Sequence, residues 1–348
     1  MLKLINIVCL LVAINLQGSF AVEKLKLSSG YEIPVVGLGT STIKLDNMEE
    51  AILSALNNGY RHIDTAFSYK NEAAIGKAVK KWLDMGNKRE DLFITSKLPS
   101  QAHRPESIEK YLIQSLKDLD MDYVDMYLIH TPWASKEGAN LDALIENGNE
   151  VLDDVDHIAM WKVMEKQVKA GRAKSIGLSN FNKSQIARVY DNAEIKPSNL
   201  QVESHAYLHQ KELRKFCKER NIVVTAYAPL GSHGTRYYTH GGTKKELPSL
   251  LTVPLVKDEL AQKYKRTPAQ ILLRHTVQDG LAVIPKSANA ARQKENIDIF
   301  DFELDDEDMK KLDELDKGKY GRVFDFLAWY KDLDKHPQYP FVSEVQSA

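Results

Sequence analysis

The segment GYRHIDTAFSYKNEAAIG (residues 59–76) and two later segments, LFITSKL (92–98) and DYVDMYLIH (122–130), each contain a short apolar, strand-like run. Four polar residues stand at or just beyond the ends of these runs: Asp64, Tyr69, Lys97 and His130. A phenol, with a reference pKa of about 10, is a weak acid at neutral pH unless a nearby cation stabilises its phenolate. A tyrosine beside a lysine that a carboxylate holds charged therefore indicates general acid catalysis on a carbonyl.

The rest of the chain alternates short β-rich runs with amphipathic segments of helix length, which predicts βα units and a parallel sheet. Ahead of them, the segments 23–27 and 31–36 flank Ser28-Ser29-Gly30, a pattern typical of a β-hairpin. Eight candidate strands begin near Val35, Tyr60, Leu92, Tyr123, Ala173, Asn199, Ile222 and Leu281.

Helix starts and long loops are also marked in the sequence. The pairs Asp46–Glu49 and Thr267–Gln270 each fit a capping box before apolar residues at helical spacing. Polar, glycine-containing stretches predict long loops at residues 134–154 and 231–249, and the tail after Tyr320 breaks the alternation as well.

Composition limits the function classes. The chain has 348 residues and a net charge of −1 without an extended basic run, which favours one large domain and gives no support for a nucleic-acid partner. Lys3, the apolar run 4–16 and the small residues Ser19 and Ala21 predict a secretory signal peptide at residues 1–21. The apolar run is too short for the roughly 20 residues of a membrane span, so we expect a secreted or lumenal domain at 22–348, without membrane association after cleavage.

The three opening segments resemble the aldo-keto reductase family, and the likeness runs from about Leu25 to the end. The resemblance implies a (β/α)8 TIM barrel with an N-terminal β-hairpin and long C-terminal loops. It also implies a monomeric enzyme that reduces an aldehyde or ketone by hydride transfer from NADPH. In this family pattern Tyr69 is the general acid, Lys97 lowers the pKa of its phenol, Asp64 orients Lys97, and His130 binds the carbonyl oxygen.

Three further segments, SIGLSNF (175–181), TAYAPLGS (225–232) and IPKSANAARQKEN (284–296), match the family's cofactor-binding regions. The resemblance implies that Ser179 and Asn180 hold the nicotinamide amide and that the Tyr227 ring stacks on the nicotinamide. It also implies that two cations, Lys286 and Arg292, and the Ser287 hydroxyl bind the 2′-phosphate of NADPH. The residues it assigns to the cofactor are Gly39, Thr40, Asp64, Ser179, Asn180, Gln201, Tyr227, Pro229, Leu230, Ser232, Lys286, Ser287, Arg292, Glu295 and Asn296.

The substrate pocket departs from the family pattern. Ser41, Pro99 and Thr131 stand where many members have tryptophan. Removal of large rings predicts a broad pocket for bulky, steroid-like ketones, with remaining apolar surface from side chains that include Tyr127. With its expected export signal, the chain also resembles insect 3-dehydroecdysone 3β-reductases. The residues assigned to substrate binding are Phe67, Tyr69, His130 and Trp133.

Other functions remain possible on this barrel. An NADPH-binding barrel with a non-catalytic sensing or structural role is the alternative, because fold does not dictate function. Hydrolysis by paired carboxylates is a second enzymatic class, but no acidic pair is placed by a motif. No HExxH motif occurs, and His205 with His209 is a lone pair at i,i+4, so no metal site is predicted.

Overall fold

The predicted alternation of strands and helices is present throughout the part of the chain that the structure describes. The computed structural model describes residues 23–138, 151–232, 238–240, 243–245, 247–327, 330 and 332–342, so the expected signal peptide lies outside it. In chain order the strands are β1 (Lys24–Lys26), β2 (Glu32–Pro34), β3 (Leu38–Gly39), β4 (His62–Asp64), β5 (Phe93–Leu98), β6 (Val124–Ile129), β7 (Ala134–Ser135), β8 (Leu152–Asp153), β9 (Ala173–Ser179), β10 (Asn199–Glu203), β11 (Val223–Tyr227), β12 (Tyr238–His240), β13 (Thr243–Lys245) and β14 (Ala282–Val283).

Eight of these strands form one parallel sheet in the order β3-β4-β5-β6-β9-β10-β11-β14. Two parallel bridges, Val36 to Val283 and Gly39 to Lys286, join the first strand to the last and close the sheet into a ring. We call this junction the seam. A side chain at Gly39 would place its Cβ 2.6 Å from the carbonyl oxygen of Ile284, so only glycine allows the close approach. The predicted (β/α)8 barrel is confirmed.

Helices follow the barrel strands and cover their outer faces. They are α1 (Leu45–Asn57), α2 (Glu72–Asp84), α3 (Pro105–Leu119), α4 (His157–Lys169), α5 (Lys183–Asn192), α6 (Lys211–Lys218), α7 (Ala261–Tyr264), α8 (Pro268–Gln278), α9 (Ala290–Ile297) and α10 (Asp306–Asp313). The apolar residues Met48, Ile52 and Leu56 of α1 are buried at helical spacing, as their sequence pattern predicts. Among the described residues, no helix is both long and apolar enough to cross a bilayer.

One of the two predicted helix caps is correct. At α8 the Thr267 hydroxyl accepts a hydrogen bond from the Gln270 amide, and the Gln270 side chain accepts one from the Thr267 amide, which confirms the capping box. The box predicted from Asp46 and Glu49 is wrong, because α1 already begins at Leu45 with Lys44 as its N-cap residue. Asp46 thus lies in the first turn, where its charge favours the helix dipole.

Both ends of the barrel carry additional elements. The β1–β2 hairpin is antiparallel, and its Leu27 and Ile33 pack against Phe93 and Met126, which confirms the predicted hairpin and places it at the floor. The two stretches predicted as long loops contain short antiparallel pairs, β7 with β8 and β12 with β13. The interval 139–150 between β7 and β8 is outside the described residues.

Candidate active site

The four polar residues of the opening segments converge at the carboxyl ends of β4, β5 and β6. Lys97 and Asp64 are both buried, with Lys97 Nζ 2.6 Å from Asp64 Oδ1. Lys97 also donates to the carbonyl oxygen of Thr65 at 2.8 Å and lies 5.1 Å from the centre of the Tyr69 ring. The rings of Tyr69 and His130 are edge to face, 5.6 Å apart. The predicted constellation therefore forms one connected group.

Burial and charge act in opposite directions on the Tyr69 phenol. Burial raises its pKa, while the Lys97 charge and hydrogen bonds from Lys97 and Ser41 lower it; the net pKa lies above the ordinary value of 10. Lys97 thus acts in the predicted direction, but it does not outweigh burial. Burial lowers the pKa of Lys97 itself, yet the Asp64 and Tyr69 partners together raise it above its usual value. In the resting protein the tyrosine carries its proton and the lysine its charge.

His130 is neutral at physiological pH. Burial, and then the charge of Lys97, lowers the pKa of its imidazole well below 6.5. A neutral imidazole can donate one N–H to an oxygen without adding a charge to the pocket. The site therefore offers two neutral hydrogen-bond donors, the Tyr69 hydroxyl and the His130 ring.

Ser41 contributes to the site in a way that sequence reasoning missed. Its position was recognised only as a departure from tryptophan, whereas its hydroxyl hydrogen-bonds Tyr69. The preceding residue fixes the backbone here, because the Thr40 hydroxyl donates to the carbonyl oxygen of Asp64 at 2.9 Å. No local pattern could reveal this contact, because Ser41 and Tyr69 are far apart in the sequence.

The residues assigned to the nicotinamide adjoin this group. Asn180, held at φ 65° after β9, donates to the carbonyl oxygen of His130 at 2.9 Å and accepts from the Tyr227 hydroxyl at 2.9 Å. Gln201 on β10 donates to Asp64 Oδ2 at 2.7 Å, and Ser179 is buried beside Asn180. Amide and hydroxyl groups next to the proton donor suit the carboxamide of a nicotinamide.

The residues assigned to the adenosine side lie across the seam. Gly39 and Thr40 end the first barrel strand, and Lys286 and Ser287 follow the last one, beside them. Arg292 is in the first turn of α9, whose N-cap residue is Asn289. Lys286 and Arg292 are exposed, and neither forms an ion pair within the described residues. Unpaired cations at a helix N-terminus fit a phosphate group.

The remaining assigned residues occupy nearby positions. Glu295 is partly exposed and Asn296 buried on α9. Pro229, Leu230 and Ser232 follow β11, where Ala228 and Ser232 have positive φ angles of 49° and 50°. The stretch is followed by residues 233–237, which are not described. These placements agree with a cofactor path along the carboxyl ends of the strands, and the individual roles stay predictions.

Around the substrate pocket, aromatic residues take unequal positions. Phe67 is partly exposed and packs edge to face on Tyr111 at 4.9 Å. Tyr127 is fully buried in the main core, so it supplies no pocket surface, contrary to expectation. Trp133 is 1% exposed and packs against Phe326 at 4.8 Å, so its predicted contact with substrate depends on movement of that neighbour.

The tail that covers Trp133 is held by a buried carboxylate. Glu203 at the end of β10 accepts hydrogen bonds from the backbone amides of Val323 (2.7 Å) and Phe324 (2.9 Å) and from the His205 ring (2.9 Å). Leu333, Tyr339 and Phe341 then complete an apolar cluster with Trp133. We call residues 322–342 the tail.

These elements define a (β/α)8 barrel whose strand ends hold a buried lysine–carboxylate pair beside a protonated tyrosine and a neutral histidine. Residues 35–317 match the family model described as "Aldo/keto reductase family". The chain belongs to the aldo/keto reductase family. It is therefore an oxidoreductase of small carbonyl and alcohol compounds that works with a nicotinamide dinucleotide.

Similar proteins support this membership over most of the chain. Aldo-keto reductase family 1 member A1 of Gallus gallus is 44% identical over 320 residues, which cover 90% of this chain and 96% of the relative. Estradiol 17 beta-dehydrogenase 5 of Mus musculus is 42% identical, covering 92% and 98%. The solved aldose reductase of Schistosoma japonicum is 41% identical with a TM-score of 0.82, covering 92% of this chain and 99% of that one.

Proposed function

We propose that this protein reduces an aldehyde or ketone to the alcohol with NADPH, and that Tyr69 is the general acid. The buried pair of Lys97 and Asp64 beside the Tyr69 ring carries the proposal. A buried ammonium is costly unless its charge is compensated, and the charge of Lys97 is compensated by the Asp64 carboxylate. A buried, charged lysine beside a phenol is typical of a functional site.

Each residue has a distinct part in the reaction. The substrate oxygen accepts hydrogen bonds from the Tyr69 hydroxyl and the neutral His130 ring. As negative charge develops on that oxygen, Tyr69 transfers its proton, and Lys97 and Ser41 stabilise the phenolate that remains. A dinucleotide bound beside these residues would supply the hydride to the carbonyl carbon. Because the phenolate exists only after proton transfer, its partners stabilise the transition state more than the bound substrate.

NADPH rather than NADH is the proposed cofactor. The support is the pair of exposed cations, Lys286 and Arg292, with Ser287 two residues before the N-cap of α9. A lysine point charge and a planar guanidinium suit a phosphate monoester, and NADH has no such group on its adenosine ribose.

The proposed substrates are bulky apolar ketones, with 3-dehydroecdysteroids as one candidate group. Ser41, Pro99 and Thr131 leave volume where large rings are common in the family. The printed names of similar proteins include Estradiol 17 beta-dehydrogenase 5 and Prostaglandin-E(2) 9-reductase of Oryctolagus cuniculus, the latter 42% identical. Both names refer to large, mostly apolar molecules.

The test is NADPH oxidation by the purified protein with small aldehydes, aromatic ketones and keto-steroids. We expect Tyr69→Phe to lower turnover by roughly a hundredfold or more, the usual contribution of a general acid. Tyr111→Phe is the matched control, since Tyr111 packs on Phe67 nearby and should keep full activity. Tight NADPH binding without turnover of any carbonyl would support the non-catalytic alternative, and a faster rate with small aldehydes would refute the bulky substrate.

We also propose that the protein is exported, with cleavage after Ala21, and that it acts as a monomer. The support is the order of charge, apolar run and small residues within the first 21 positions. Expression in a secreting eukaryotic cell, followed by mass spectrometry of protein in the medium, should give an N-terminus at Val22. Retention of the intact chain in the cytosol would refute export, and sedimentation of the purified protein tests the monomer.

A further inference from the structure

Two histidines and a carboxylate from three separate elements meet outside the site described above. His209 lies in the loop between β10 and α6, His275 in the last turn of α8, and Asp313 at the end of α10. His209 Nδ1 is 3.2 Å from Asp313 Oδ1, and His275 Nε2 is 3.1 Å from the same oxygen. One possible ligand atom from each residue lies within 4.8 Å of the other two. No pattern in the sequence links these positions.

The two separations from Asp313 Oδ1 fit those of a metal-ligand set. Zinc bound tetrahedrally at about 2.0–2.2 Å from nitrogen and oxygen ligands places those ligand atoms roughly 3.3 Å apart. The two measured separations from Asp313 Oδ1 are close to this value. The two imidazole rings are 5.2 Å apart and inclined at 62°, so they are not stacked on each other.

The hydrogen bonding of His209 is incomplete, which also favours a ligand. Its side chain is 2% exposed, and neither ring nitrogen has a hydrogen-bond partner within the described residues. The 3.2 Å approach to Asp313 therefore lacks hydrogen-bond alignment. A buried polar atom left unpaired costs about 1–3 kcal/mol, so such groups usually have a partner. A metal ion would use one of these nitrogens.

The charge states suit a divalent cation. Burial and the neighbouring His275 lower the pKa of His209 to about 4, so its ring is neutral at pH 7 and able to coordinate. A hydrogen bond from His275 helps to hold the pKa of the Asp313 carboxyl well below its usual range. Lys211 binds the other carboxylate oxygen, Oδ2, at 2.9 Å, which leaves Oδ1 directed to the histidines.

Access for an ion exists on the Asp313 side. Asp313 is one-third exposed and lines a cleft of about 590 Å³ together with Lys211 and Arg214. The cleft has room for water as a fourth ligand. The positive charges of Lys211 and Arg214 oppose metal binding, so we expect the affinity for a metal ion to be below that of a closed four-ligand structural site.

We propose that His209, His275 and Asp313 bind one Zn²⁺ ion, which joins the loop before α6 to α8 and α10. Two imidazole nitrogens and one carboxylate oxygen form a donor set that zinc accepts in proteins. The ion would stabilise the outer helical layer and would take no part in reduction at Tyr69.

The experiment is a titration of the chelator-treated protein with Co²⁺, followed by visible absorption, and with Zn²⁺, followed by calorimetry and thermal unfolding. We expect one equivalent of either ion, an intense Co²⁺ spectrum that Zn²⁺ abolishes, and a melting temperature that rises with Zn²⁺ concentration. His209→Gln and Asp313→Asn should each weaken binding by roughly tenfold or more.

His336→Gln is the matched control, because this buried histidine has its own partner, the carbonyl oxygen of Asp153, and should leave metal binding unchanged. Failure of the unmodified protein to bind Zn²⁺ would overturn the proposal, whether or not the variants fold. Equal binding by the unmodified protein, His209→Gln and Asp313→Asn would overturn it as well, since the ion would then lie at another place.

Discussion

Ser41 shows how one small residue can adjust the proton donor. Its hydrogen bond lowers the pKa of Tyr69 against the opposing effect of burial. We expect Ser41→Ala to raise that pKa and therefore to move the alkaline limb of the rate–pH profile to higher pH. The turnover number should fall by about two- to tenfold, as expected for one lost hydrogen bond of 0.5–1.5 kcal/mol.

The check is a pH profile of turnover for the unmodified protein, Ser41→Ala and Ser41→Thr. Threonine keeps the hydroxyl, so its alkaline limb should stay in place. If alanine and threonine shift the limb equally, Ser41 acts through its size and its hydrogen bond to Tyr69 has no catalytic effect.

Arg292 is the residue on which cofactor choice should depend most clearly. We expect Arg292→Ala to raise KM for NADPH by roughly 10- to 100-fold, since a hydrogen bond to a charged group contributes about 1.5–3 kcal/mol. KM for NADH should hardly change, because NADH lacks the 2′-phosphate. Lys294→Ala, an exposed lysine on the same helix, is the control. A similar rise for both cofactors would contradict phosphate recognition by Arg292.

At the level of elements, the tail depends on Glu203. Replacement by glutamine keeps the shape of this side chain but removes one of the two oxygens that accept the Val323 and Phe324 amides. We expect Glu203→Gln to loosen the tail and to speed tryptic cleavage after Arg322, a buried residue at its start. Mass spectrometry of timed digests measures this rate.

A second buried glutamate gives the control for that experiment. Glu165 also accepts two backbone amides, from Glu194 and Ile195, but it lies on α4. Glu165→Gln should leave cleavage after Arg322 unchanged. If both variants accelerate cleavage to the same extent, the effect is general destabilisation and Glu203 has no specific hold on the tail.

The elements that the sequence predicts well are those with a local cause. The strands could be predicted because an apolar, β-rich run is recognised from its own residues alone. The Thr267 cap could be predicted because its partner is only three positions away. The sequence around Asp64, Tyr69, Lys97 and His130 also predicted the site, since these residues lie at or just beyond the ends of three strands, β4, β5 and β6. The Asp46 box failed because the helix begins at Leu45, two residues earlier than a cap at Asp46 would place it, at no cost to its apolar face.

Contacts between distant parts of the chain could not be predicted in this way. Glu203 meets backbone amides of the tail, which carry no sequence signal. His209 was considered with His205, its neighbour in sequence, whereas the structure pairs His205 with Glu203 and places His209 beside His275. Such long-range contacts result from the packing of helices and loops around the closed barrel.

Across the whole molecule, buried neutral histidines should limit acid stability. Burial lowers the pKa of His62 to about 4 and that of His103 to about 3, and it lowers the pKa of His130 well below 6.5. Below pH 6.5 these side chains take up protons in the unfolded chain but not in the folded one. The free energy of unfolding should therefore fall as the pH decreases from 6.5 towards 4, by up to about 1.4 kcal/mol per pH unit for each group.

Urea unfolding at pH 7 and pH 5 measures this loss. His103→Gln removes one of these groups, so its loss of stability between the two pH values should be smaller than that of the unmodified protein. An identical loss in both proteins would mean that His103 already titrates normally in the folded state.

The seam affects the stability of the protein in the absence of its coenzyme. It joins the first and last barrel strands, which come from opposite ends of the sequence, and two bridges hold it. Contacts between such distant segments form late and open early. A dinucleotide that contacts Thr40 on one side of the seam and Ser287 on the other would hold the two strands together. The coenzyme would then have two roles, as the reductant and as a link that keeps the barrel closed. The coenzyme-free form would open at the seam more often, and it would therefore exchange its amide protons and be cleaved by proteases faster.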